Sequence, residues 1–65
     1  MRWWIDFHYW HPRLERPKAG WWVVEAGSRE EALEKFWRRV REKGLRVLRI
    51  VGVWEFQGEW PLVVR

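Results

Sequence analysis

Asp6, His8 and His11 are the residues whose types and spacing come nearest to catalytic chemistry. On an extended chain a residue shares its face with the one two positions on, so Asp6 could orient the His8 imidazole as a general base. Such a base needs a nucleophile to activate. The chain has no cysteine, and Ser28 sits where a helix is expected to begin, which commits it to capping. The same three residues could ligate a metal, but strand alternation points His8 and His11 to opposite faces. No G-x-G-x-x-G, phosphate-binding loop or zinc-ligand spacing occurs. The expectation is a protein that is not an enzyme, with no catalytic residue, cofactor or metal.

These residues belong to RWWIDFHYW, Arg2 to Trp10, which reads as a strand. Trp3, Ile5, Phe7 and Tyr9 form one continuous apolar row. Arg2, Trp4, Asp6, His8 and Trp10 form the other, and it carries two indoles that a watery face does not need. The stretch from His11 to Gly20, with Pro12, Pro17 and Gly20, predicts an extended loop, and Trp21 to Ala26 a short strand returning antiparallel.

At Gly27-Ser28 the period changes. Ser28 with Glu31 makes a capping box, and Ala32, Leu33, Phe36, Trp37 and Val40 make the stripe of an amphipathic helix over Arg29 to Lys43. Acids crowd its start and bases its end, with Glu31–Lys35 and Glu34–Arg38 as favourable pairs and Gly44 as the stop. Leu45 to Phe56 reads as a long strand, with Leu48, Ile50, Trp54 and Phe56 on one row and Val47, Arg49, Val51 and Val53 on the other. Gly52 could mark a bulge in it, or a close approach of the helix. Gln57-Gly58 is a hairpin candidate leading to a short edge strand, Trp60 to Val64, that contains Pro61.

The element order is therefore ββαββ in a single α+β domain covering residues 1–65. A right-handed crossover predicts a four-stranded antiparallel sheet of order 2-1-3-4 with one helix on one face. A domain of this length buries only about 60% of the surface of its unfolded chain. With no disulfide or zinc to brace it, eight tryptophans, three phenylalanines and one tyrosine must supply the core, or a second copy must.

No apolar run is long enough to cross a membrane, and no leader pattern is present, so the expectation is a soluble, unprocessed, cytoplasmic protein. The missing cysteine suits a reducing compartment. Few thermolabile residues and an excess of Arg and Glu suit a thermophile, or equally a GC-rich genome. The net charge of +4 favours acidic partners, although the nine acids are interspersed among the thirteen bases.

One helix can cover one sheet face. The covered face takes Trp3, Ile5, Phe7, Tyr9, Trp22, Val24, Leu48, Ile50, Trp54 and Phe56. The other shows Trp4, Trp10, Trp21, Val23, Val47, Val51 and Val53 among Arg2, Asp6, His8, Glu25, Arg49 and Glu55. So much apolar surface marks an interface, unless the last strand or first loop folds over it or the phase of the second strand is shifted by one. The expected partner surface is Trp4, Trp10, Trp21, Arg2, Arg49, Val51 and Val53, meeting a target protein or a second copy in a homodimer. The alternative is single-stranded nucleic acid, with bases stacked on the indoles and phosphates met by arginine and lysine; Asp6, Glu25 and Glu55 would repel it. Arg13, Arg16 and Lys18 in the loop and Arg38, Arg39 and Arg41 on the helix are candidate contacts for an acidic partner, the helix cluster also complementing its dipole. SREEALEKF after a short hairpin is similar to the helix start of several small α+β folds, among them HicB-like antitoxins and small archaeal ribosomal proteins. Capping and amphipathicity generate such a segment unaided, so the resemblance implies no site residue.

Overall fold

The computed structural model describes residues 1–56, the side chain of Phe56 apart. Strand β1 spans Arg2–His11, β2 Arg16–Glu25 and β3 Val47–Phe56, and helix α1 spans Arg29–Lys43 between β2 and β3. Among the described residues the sheet has three strands in the order β2-β1-β3, both pairings antiparallel. This corrects the four-stranded ββαββ expectation of order 2-1-3-4. The stretch that was to supply the fourth strand lies outside the described residues.

β1 is central because both of its neighbours pair along nearly its whole length. Its alternation holds as the sequence implies: Ile5 and Phe7 are buried toward the helix. Phe36 of α1 is the hub they meet. Its ring lies 5.0 Å from Phe7, 5.2 Å from Trp22 and 5.1 Å from Trp37, all at steep interplanar angles, which is the edge-to-face geometry aromatic quadrupoles favour. Val40 completes the buried cluster, and Tyr9, Trp22, Val24, Leu45, Val47, Ile50 and Val53 pack around it. At the edge of this cluster the Trp3 indole N–H donates to the Ala26 carbonyl at 3.1 Å.

The helix starts and stops where its residues dictate. Ser28 Oγ accepts from the Glu31 backbone N–H at 3.1 Å, and Glu31 reaches back to the Gly27 N–H at 2.6 Å, one residue further upstream than a capping box requires. At the other end Gly44 adopts φ 65° and gives its N–H to the Arg41 carbonyl, while Leu45 donates to Val40. This pair of bonds is a Schellman closure, and Leu45 and Val40 share the core as its usual hydrophobic contact. Gly44→Ala forces a Cβ into the left-handed region, so the variant is expected to lose about 1–2 kcal/mol in denaturant melts. A loss below a few tenths would show that the closure is not strained by a side chain. Of the two expected helix ion pairs, Glu31–Lys35 forms at 3.8 Å.

The predicted loop from His11 to Gly20 is mostly strand. The turn is confined to Pro12–Glu15, closed by the Glu15 N–H donating to the His11 carbonyl at 2.8 Å, with Glu15 at φ 53°. Pro17 is tolerated in β2 for a reason visible in the pairing. The Trp10 N–H points to Arg46 on the far side of β1, so the Trp10–Pro17 pair exchanges no bond and the proline nitrogen faces outward on an edge strand. Gly20, opposite Phe7, sits beneath two rings: a Cβ there would lie 3.0 Å from Phe7 Cζ and 3.2 Å from Tyr9 Cε1.

β3 departs most from simple alternation. Its pairing with β1 runs Ile5–Val53, Asp6–Gly52, then Phe7–Ile50, His8–Arg49, then Tyr9–Val47. Val51 and Leu48 are left over, one at each of two bulges. Each extra residue reverses the phase, so Val47, Ile50 and Val53 all turn to the helix at a spacing of three.

Candidate interaction face

The double bulge decides what the sheet face turned away from α1 presents. Val53, expected on that face, packs against the core instead, and Val47 goes with it. Leu48 and Trp54, expected beneath the helix, are 43% and 47% exposed. The corrected face therefore centres on Trp54, Val51 and Trp21 around Trp4. Trp54 pairs across the strands with Trp4. Its ring folds back over Gly52, where a Cβ would come within 2.5 Å of Trp54 Cζ3, so glycine is what lets that indole lie down.

Trp4 is half-buried and held from two directions. It stacks on Trp21 at 4.6 Å and 11°, and its indole N–H donates to Asp6 Oδ1 at 2.7 Å. Val51, 47% exposed, shares a shallow recess with Asp6, His8, Ala19, Gly20 and Trp21. Trp10 lies at the far end of β1, half-buried, with the Arg46 guanidinium 5.9 Å from its ring. It does not join the Trp4–Trp21 stack.

Charges ring this face more than they cover it. Arg2 is drawn to Glu25 at 3.3 Å, and the same carboxylate lies 3.6 Å from the Met1 amino group. Arg49 is exposed opposite His8. Arg13 lies in the turn, Arg16 and Lys18 at the start of β2, all exposed. The helix arginines do not act together: Arg39 leans back over the Trp22 ring at 5.3 Å, while Arg38 and Arg41 line the outer helix surface with Trp37.

The residues closest to chemistry have structural employment. Asp6 holds the Trp4 indole, and His11 Nδ1 accepts from the Leu14 N–H at 3.2 Å, tying down the turn. His8 is on the opposite face from His11, next to Arg49 and Ala19. Among the described residues no three His, Cys, Asp or Glu side chains gather as metal ligands. No helix among them is long and apolar enough to cross a membrane.

The chain matches no protein-family model, no curated protein and no solved structure.

The sequence signal for Trp54 was present but faint. Val47, Ile50 and Val53 recur every third residue, which a plain strand does not produce, and Gly52 stands two residues before a tryptophan on the same strand.

Proposed function

We propose that this chain is a non-enzymatic protein-binding module whose partner docks on the sheet face turned away from α1, with Trp54 and Val51 as its anchors. The observation that carries the reading is the exposure of Trp54 and Val51 beside the Trp4–Trp21 stack, an apolar surface on which Arg2 is bound to Glu25 at the rim and Asp6 to the Trp4 indole within it. A rigid indole beside aliphatic groups, fringed by arginine, is the composition of a protein hot spot.

Nucleic acid fits less well. Base stacking needs free ring faces, and Trp4 and Trp21 spend one face each on one another. Of the two arginines expected on this face to meet phosphates, Arg2 is joined to Glu25, which leaves Arg49. Asp6 also keeps a carboxylate in the middle of the platform.

The test is a displayed library of small protein domains selected against the folded chain, followed by affinity measurements with Trp54→Ala and Val51→Asp. Selected binders are expected to converge on this face and to lose about 2 kcal/mol, roughly 30-fold, with each change. Binders that ignore both substitutions would refute the reading. Tryptophan quenching by an unstructured oligonucleotide, weakening steeply with salt, would transfer the function to nucleic acid.

A further inference from the structure

The helix carries a second apolar surface, on the side turned away from the sheet. Leu33 is half-buried and Trp37 is 38% exposed, and with Glu30, Glu34, Arg38 and Arg41 they line one shallow groove. The spacing of these six is that of a continuous helix stripe nearly three turns long. Its charge order is ordered along the axis: both acids lie toward the N-terminus, both arginines toward the C-terminus. None of the four is in an ion pair among the described residues, where Glu25 and Glu31 take the cations.

Such a stripe is complementary to itself when reversed. Laid antiparallel on a copy, Glu30 faces Arg41, Glu34 comes beside Trp37, and Leu33 comes beside Arg38, so that opposite charges meet at both ends and the indoles cross between them. Two-fold symmetry then repeats each contact. A parallel arrangement would set acid on acid and arginine on arginine. An unrelated partner would have to supply the same charge order, whereas a second copy brings it already.

We infer that α1 is the seat of an antiparallel homodimer, formed through Glu30, Leu33, Glu34, Trp37, Arg38 and Arg41, which leaves the two sheet faces pointing apart. A single helix pair buries less than the ~1,200 Å² of a standard interface, so association belongs in the range of about 0.1–1 mM. The dimer presents two copies of the sheet face.

Sedimentation equilibrium over that concentration range tests the inference. The chain should dimerise at low ionic strength and loosen as salt rises, because its end pairs are exposed. Glu30→Arg with Glu34→Arg should give a monomer, as should Arg38→Glu with Arg41→Glu, and an equimolar mixture of the two should associate at least tenfold more tightly than either alone. Because the first variant opposes the helix dipole, the native chain supplies a second readout: amide shifts that change with concentration should cluster at residues 30–41. A monomer throughout, or a mixture that fails to recover association, overturns the inference. So does a dimer that tightens with salt, is broken by Val51→Asp, and shifts the amides of β1 and β3; that result would leave the sheet-face reading standing.

Discussion

Phe36→Ala is expected to lower stability by about 3–5 kcal/mol and the melting temperature by at least about 12 °C. Phe36 is fully buried and touches three rings drawn from β1, β2 and its own helix, so its loss removes a residue that joins helix to sheet. The cavity has little means of closing. Phe7 is pinned against Gly20 and Trp22 is held beneath Arg39, so neither ring can swing inward without breaking another contact. For a domain of this length, whose total stability is of the same order as the loss, near-UV circular dichroism should show the aromatic signal collapsing at 25 °C. A variant that keeps that signal and melts within a few degrees of the parent would show that the aromatic hub is not what holds helix to sheet.

Val53→Asp and Val51→Asp should part company by about 3 kcal/mol, though the two valines are separated by one residue. Val53 packs on the core, where an added carboxylate is stripped of water without a partner. Val51 is the extra residue of a bulge and is open to solvent, so its aspartate costs the fold little. Urea melts of the two variants decide the matter. Plain alternation would put both valines on one face and make the two substitutions equivalent; equal losses would therefore remove the bulge at Val51.

That comparison marks where the sequence stops being legible. The helix bounds, Ser28 as its cap and Gly44 as its stop could be read directly, because capping depends on a few neighbouring residues whose chemistry is local. The two rows of β1 could be read because a central strand without bulges obeys a period of two. β3 could not. Its phase is set by how many residues it inserts against β1, a property of the pair that neither strand shows by itself: the insertion at Val51 carried Val53 inward and Trp54 outward, and the one at Leu48 carried Val47 inward and Leu48 outward. The early start of β2 was hidden for a related reason. Pro17 reads as a breaker until the register shows its nitrogen facing away from the neighbouring strand. On the sheet face away from α1 the structure sets Trp4, Trp21 and Val51 beside Trp54, which the even alternation of β3 had assigned to the helix side.

The two irregular strands also guard the chain against itself. A sheet rich in tryptophan that ended in straight, evenly pleated borders would template its own growth into fibrils, each molecule donating its rim to the next. Among the described residues one rim, β2, includes a proline, and the other, β3, has its hydrogen-bonding rhythm reset twice within a few residues, so an incoming strand of regular pleat finds no long run of matching donors and acceptors. Edge-to-edge growth is thereby disfavoured at both described borders, which a straight ribbon of the same composition would leave open to it.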